Sequence, residues 1–301
     1  MSVLRQTIVC PACHGTLLEL EDLLRCERCG GAYEVAAGVP DLRPPRDGTP
    51  SLADEQAVYY DHEADVEWEI ERPLSAARLY RWLMAEKFRR SISAIEHLLP
   101  DSTVLTVCGG SGMDAEFLAL CRASVIASDV SQEAVRRALV RSQRHAVAFD
   151  AITADIYDLP FEDHSIDIVY VHDGLHHLEQ PLEGLREMAR VARVAVSVTE
   201  PVAATATRLA MRMRIAQETE DAGNRVERLD PADVASVLAA AGFQVVASNR
   251  YGMFYRHEPG WAMRIFSKPG LYEVARIAFK IANAIASRIG NKLAVQAVRA
   301  R

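Results

Sequence analysis

The chain predicts an α/β fold with a parallel sheet covered on both faces, and three features carry that prediction. An apolar run (Val104, Leu105, Val107) enters a loop holding Gly109, Gly110 and Gly112, and a helical stretch follows from Asp114 to Leu120. A second apolar run ends in Asp129, 16 positions past Met113. Strand-like and helix-like segments then alternate to the end of the chain, the pattern of helices packed on a parallel sheet. Glycines let a loop turn sharply and bring its backbone against a ligand. A helix N-terminus beyond them presents free N–H groups. An acid after the second strand is placed to hold ribose hydroxyls. A nucleoside-containing cofactor is expected.

In chain order, residues 1–43 come first, with Cys10-Pro-Ala-Cys13 and Cys26-Glu-Arg-Cys29 separated by 12 residues. Four thiolates at this spacing can close tetrahedrally on Zn²⁺, and Gly15, Gly30 and Gly31 let backbone amides fold towards the sulfurs. With all four positions filled by protein the metal would be structural. Together with Leu17–Leu20, Ala32–Val35 and Gly38–Leu42, the segment resembles the zinc ribbon of the small activator protein of tRNA and protein methyltransferases. That ribbon also occurs at the N-termini of some bacterial methyltransferases. A lobe packed on the main domain is the preferred role here, with substrate recruitment as the alternative.

Residues 44–100 are read as linker and N-terminal helices. Pro44, Pro45, Gly48 and Pro50 disfavour regular structure. In the acidic, aromatic stretch Asp54–Glu71, Tyr59 and Tyr60 are either cofactor contacts or anchors of a surface helix. Apolar residues at largely helical spacing predict a helix over 75–99, closed by Pro100.

Residues 101–301 hold the main domain. Gly110-Ser-Gly-Met-Asp-Ala115 formally fits the dinucleotide fingerprint, so a dehydrogenase is a live reading of the loop alone. The later segments Thr153–Phe161 (Thr-Ala-Asp-Ile-Tyr-Asp-Leu-Pro-Phe), Ser165–Val171 and His172-Asp-Gly-Leu-His-His-Leu178 favour another. With them the chain resembles the class I S-adenosylmethionine-dependent methyltransferases, in the branch acting mostly on small molecules and lipids, over roughly 101–243. The resemblance implies a Rossmann-like seven-stranded sheet of order 3-2-1-4-5-7-6, with the seventh strand antiparallel. It also implies that Cys108, Gly109, Gly110, Ser111 and Gly112 hold the methionine end, that Asp129 and Val130 meet the ribose, and that Asp155 and Ile156 meet the adenine, with His172 at the same site. The family usually has an acid where Thr106 stands and a glycine where Cys108 stands. Asp114, at the start of the next helix, either replaces the missing carboxylate or simply answers the helix dipole.

Strands are expected at 147–153, 166–171, 194–199, 243–247 and 292–298, and helices at 131–141, 182–191 and 231–241. Ser131 and Asp230 are N-caps. This leaves insertions at about 202–229 and 250–291. Within the second, 271–289 reads as an amphipathic helix, with Tyr272, Glu273, Arg276, Lys280, Asn283 and Ser287 on one face and Leu271, Val274, Ile277, Ala278, Ile281 and Ile285 on the other. Residues 259–301 carry eight Arg/Lys against one acid, a local +7 in a chain of −7 that leaves −14 on the rest. A lid docked on the acidic body is the preferred reading; peripheral membrane contact and an acidic substrate are the alternatives.

The composition, 50% hydrophobic and 25% charged, is that of a soluble globular protein. No transmembrane run or signal-like core is evident, so a cytoplasmic location is expected. The loop holding His172, His176 and His177 lies at the carboxyl edge of the sheet, where ligands bind in open α/β folds. His176 or His177 is the candidate general base, with loop packing as the rival role. The expected activity is methyl transfer to a small-molecule or lipid-like acceptor, with S-adenosylmethionine and structural zinc as cofactors. An rRNA or tRNA methyltransferase is the runner-up. The acidic balance of the first 43 residues, four Arg against six acids, speaks against nucleic acid. A non-catalytic zinc-ribbon adaptor with a degenerate methyltransferase fold is the third reading. The aromatics Tyr251, Phe254, Tyr255 and Trp261 suggest an acceptor with apolar parts.

Overall fold

The computed structural model describes residues 4–44, 52–62, 65–202, 229–253, 257–286 and 290–300. Its main sheet contains β5 (Thr103–Val107), β6 (Ser124–Asp129), β7 (Asp150–Thr153), β8 (Ile166–His172), β9 (Ala192–Pro201), β10 (Phe243–Tyr251) and β11 (Lys292–Arg299). They lie in the order β7-β6-β5-β8-β9-β11-β10, and only β11 pairs antiparallel with its neighbours. This is the expected 3-2-1-4-5-7-6 order. Alternate residues of the central strands feed opposite layers, as a sheet buried on both faces requires. Leu105, Ile126, Val169 and Val196 pack under α7 (Pro181–Val191) and the helix Pro231–Ala240. Val104, Val125, Ile168 and Ala195 pack under α5 (Met113–Leu120) and α6 (Gln132–His145).

Element boundaries shift where tertiary contacts outweigh local pattern. The helix expected over 75–99 runs only from Arg78 to Ile92 (α4). Gln296 of β11 accepts hydrogen bonds from the Ala94 amide and the Ser93 hydroxyl, drawing the backbone out of the helix. In contrast α6 runs four residues past its expected end and stops at Ala146, which takes a left-handed conformation (φ 54°). That shortens the third core strand to Asp150–Thr153. Ser131 caps α6 through the Ala134 amide, and Asp230 caps its helix through the Ala232 amide, as expected.

The N-terminal region forms a separate antiparallel sheet of β1 (Leu17–Leu20), β2 (Leu23–Cys26), β3 (Ala32–Ala36) and β4 (Val39–Pro40). It is tied to the free edge of the main sheet. The Leu42 amide donates to Thr153 O (2.8 Å) and the Val9 amide to Pro160 O (2.9 Å). Arg43 reaches further and donates to Val130 O.

Within the basic segment 259–301, Lys292 pairs with Asp173 of the body, whereas in the docked helix α10 (Leu271–Ala286) the described ion pairs are those of Glu273, with Arg276 of the same helix and with Arg78 of α4 (4.0 Å). Tyr272 and Phe279 pack against α4. The Arg276 guanidinium stacks over Trp82 and pairs with Glu273 of its own helix. Ser287, Phe254, Tyr255, the side chain of Tyr60 and most of the 202–229 insertion lie outside the described residues. Among the described residues, no helix is long and apolar enough to cross a membrane.

Candidate active site

The carboxyl ends of β5, β6 and β8 open onto a cavity of about 390 Å³. Ten of the eleven residues expected to hold the cofactor line it: Cys108, Gly109, Gly110, Ser111, Asp114, Asp129, Val130, Asp155, Ile156 and His172. Gly112 does not. A Cβ there would stand 2.8 Å from that of Ala138, and its φ is +77°, so this glycine lets the loop close onto α6. Gly109 faces the floor of the loop, where a Cβ would meet the Thr106 hydroxyl at 3.0 Å. That hydroxyl is buried and has no hydrogen-bond partner among the described residues.

Cys108 stands in the left-handed region (φ 51°), where a family glycine would be at ease. Its side chain fills the space above Gly174. A Cβ on Gly174 would lie 2.5 Å from the Cβ of Cys108. Cys108 is therefore matched by a glycine directly beside it in the cavity wall.

Asp129 spans the two loops. One carboxylate oxygen accepts the Gly110 amide (2.8 Å) and the other the Ser131 amide (2.9 Å). Burial raises its pKa against those two bonds. A carboxylate offers about four acceptor sites, so two remain for ligand hydroxyls. Asp114 is buried at the start of α5, and burial, opposed by Lys87, lifts its pKa to about 7.

Behind the glycine loop sits Arg141, fully buried. It donates to Ser111 O (2.8 Å), Glu116 (2.8 Å) and Glu69 O (2.5 Å), joining α5, α6 and the short helix α3 (Val66–Glu71). Glu69 also enters the cavity. Burial opposes its ionisation, yet His257, Arg72 and the Ser111 hydroxyl hold its carboxyl down at about 2.

The three histidines have different surroundings. His176 is buried with Nδ1 2.7 Å from Glu200, which also accepts the Gly174 and Leu175 amides; His176 does not line the cavity. His177 does line it and stacks on His176 at 4.0 Å between ring centroids. His172, at the end of β8, lines it too, and its Nδ1 is 3.0 Å from the Tyr170 hydroxyl. The direction of that bond follows from its neighbours. Ser91 donates its hydroxyl proton to Phe88 O, so Tyr170 must donate to Ser91 and can only accept from His172. The His172 proton is thus on Nδ1. Its Nε2, buried and without a hydrogen-bond partner among the described residues, carries the lone pair. Burial, then the Lys87 charge, drives the His172 pKa well below its usual value and keeps the ring neutral. Beside it Asp173 lies between Lys87 (2.9 Å) and Lys292; burial works against its charge, but the two lysines hold its pKa well below the carboxylate range.

Several lining residues escaped sequence reasoning: Glu69, Arg72, Lys87, Arg137, Asp173 and His257. Lys87 carried a signal, since it sits on the buried face of α4 with Met84 and Phe88. Tyr59 is exposed and does not line the cavity.

Away from the cavity, Cys10, Cys13, Cys26 and Cys29 converge. The Cys10–Cys29 and Cys13–Cys26 sulfurs are 3.7 and 3.4 Å apart, and all four lie within 4.8 Å of one another. Tetrahedral zinc with Zn–S of about 2.3 Å separates sulfurs by about 3.8 Å. A Cβ on Gly15 would stand 3.0 Å from the Cys26 sulfur.

Residues 105–195 match the protein family described as "Methyltransferase domain". A methyltransferase domain is what residues 105–195 resemble. A demethylmenaquinone methyltransferase from Renibacterium salmoninarum is 31% identical over 153 residues, covering 51% of this chain and 56% of that protein. A probable S-adenosylmethionine-dependent methyltransferase from Mycobacterium tuberculosis is 35% identical over 109 residues, covering 35% of this chain and 38% of that one. The chain thus spans about half, or less, of the length of the curated relatives it matches. Among solved structures, the fold of the main domain is shared by magnesium protoporphyrin IX methyltransferase from Synechocystis with bound SAH (TM-score 0.54, 18% identity, covering 82% of this chain and 100% of that one). It is shared equally by the cyclase SpnF (TM-score 0.56, 16% identity, 83% and 97% covered). One sheet therefore hosts different chemistries, and the side chains must decide between them.

Proposed function

We propose that the chain is an S-adenosylmethionine-dependent methyltransferase acting on a small-molecule acceptor, with His172 as the general base. The observation that carries this reading is one cavity lined by the Gly109–Gly110 loop, the bridging carboxylate of Asp129 and the neutral ring of His172. In it Asp129 holds the ribose hydroxyls, Asp155 and Ile156 contact the adenine, and the loop amides receive the carboxylate end of the cofactor. Asp114, with Thr106 in the family acid's place, serves the ammonium group. When bound, S-adenosylmethionine supplies a methyl group already activated on sulfur, so the protein's tasks are alignment and removal of the acceptor's proton. His172 takes that proton on Nε2, while Tyr170 keeps the other nitrogen protonated. His177 positions the acceptor, and His176, clamped by Glu200, shapes the loop.

The relatives named demethylmenaquinone methyltransferases make a demethylated quinone the first acceptor to assay. The four-cysteine site is read as a structural zinc site that stiffens the lobe backing Val130. The test is incubation with methyl-labelled S-adenosylmethionine and a panel of reduced quinones, phenols and structured RNA. Label should reach a small acceptor and not RNA. Label on RNA alone would put the acceptor class in error.

A further inference from the structure

The docked helix α10 faces the opposite way from most surface helices. Its inward side carries Tyr272, Phe279 and Asn283, and its apolar stripe faces water. Val274, Ile277, Ile281 and Ile285 are 61%, 56%, 54% and 81% exposed. Just upstream, Trp261 is 76% and Phe266 46% exposed. The orientation is fixed from the inside. Asn283 is buried, with its side chain accepting the Gly252 amide (2.7 Å) and donating to Gly252 O (3.1 Å). Rolling the helix to bury the isoleucines would break both bonds and drag Arg276 off Trp82. The stripe is thus held outward by specific contacts.

Charge around the stripe selects its occupant. Arg264, Lys268 and Lys280 are exposed at its margins, within a segment of +7, while the rest of the chain is −14. A second copy of this chain seated face to face would bring these cations together at the rim of an apolar contact. An anionic bilayer surface instead meets them with opposite charge and repels the acidic body, which favours this face turning to the lipid. The helix has 16 residues, about 24 Å of length, and so suits the plane of the interface, not a crossing.

We propose that the exposed face of α10, with Trp261 and Phe266, is a docking surface for anionic membranes. Trp261 follows four residues after His257, which lines the cavity, so docking sets the cavity beside the lipid. The docking stands whether or not methyl transfer is correct, because vesicle binding is read without turnover.

The experiment is co-sedimentation of the purified full chain with vesicles of phosphatidylcholine alone or with 30% phosphatidylglycerol. Binding is expected to the anionic vesicles only and to weaken in high salt. I277E/I281E should lower it at least ten-fold with an unchanged melting temperature, as expected for exposed positions. K268Q/K280Q should lower it about five-fold per charge removed. Failure to bind anionic vesicles, or binding indifferent to both variants, overturns the proposal. So does a stable dimer in light scattering that I277E/I281E dissolves, which would assign the face to a second copy.

Discussion

The Tyr170 hydroxyl accepts a hydrogen bond from His172 Nδ1 at 3.0 Å, leaving Nε2 of this cavity-lining residue without a hydrogen-bond partner among the described residues. In the proposed reading this relationship leaves His172 Nε2 as the nitrogen that takes the acceptor's proton. His172→Ala should cut kcat by about 10²–10⁴-fold with cofactor binding retained. Tyr170→Phe should cost about ten-fold in kcat with KM unchanged, since the ring then loses the partner that sets its tautomer. Because the folded pKa of His172 is depressed, the wild-type kcat at saturating cofactor should stay flat as pH falls through 6.5. A rate that halves near the ordinary histidine pKa, or a His172→Ala variant of normal kcat, removes His172 from the chemistry.

Asp114 links binding to pH. Its folded pKa of about 7 lies above the ordinary 3.8, so the folded state favours the neutral acid. The unfolded chain releases this proton first, and stability therefore falls as pH rises from about 4 to 7. Asp114→Asn should flatten that slope and stabilise the ligand-free protein above pH 7. A cofactor ammonium beside Asp114 favours the ionised form. S-adenosylhomocysteine should thus bind more tightly as pH rises towards 7, with a proton released that calorimetry in buffers of different ionisation heat can count. No proton release in wild type would separate Asp114 from the ligand.

Cys108 and Gly174 should be energetically coupled. Gly174→Ala places a Cβ 2.5 Å from the Cys108 Cβ and should destabilise by about 1–3 kcal/mol in denaturant unfolding. Adding Cys108→Gly should recover much of that loss, because it removes the opposing atom and relieves a left-handed non-glycine residue. Strict additivity of the two changes would show that the contact is not what constrains Gly174.

Metal analysis of protein prepared without chelator should return about one zinc per chain. Cys26→Ser should lose it and expose the N-terminal lobe to protease, since zinc binding contributes directly to folding. Zinc-free wild-type protein with an intact lobe would leave the four cysteines as thiols.

The sheet was legible because its signals are local. Val104, Leu105, the glycine loop and Asp129 sit in one stretch, and alternate strand residues read as layers before any contact is known. Ten of eleven expected cofactor residues reach the cavity for the same reason. What stayed hidden is non-local. The burial of His176 depends on Glu200, 24 residues on, and the tautomer of His172 depends on Ser91 from another helix. The end of α4 depends on Gln296. Periodicity gave 271–289 two faces but did not show that Asn283 turns the apolar one outward.

The central claim is that this cavity holds S-adenosylmethionine, and titration calorimetry with S-adenosylhomocysteine and with NAD tests it most directly. S-adenosylhomocysteine should bind, weakened by about 1–3 kcal/mol in Asp129→Ala because ribose hydroxyls lose their acceptor, and NAD should not. Tight NAD binding without S-adenosylhomocysteine binding would make the chain a dehydrogenase, and binding of neither would contradict a cofactor role for the cavity altogether.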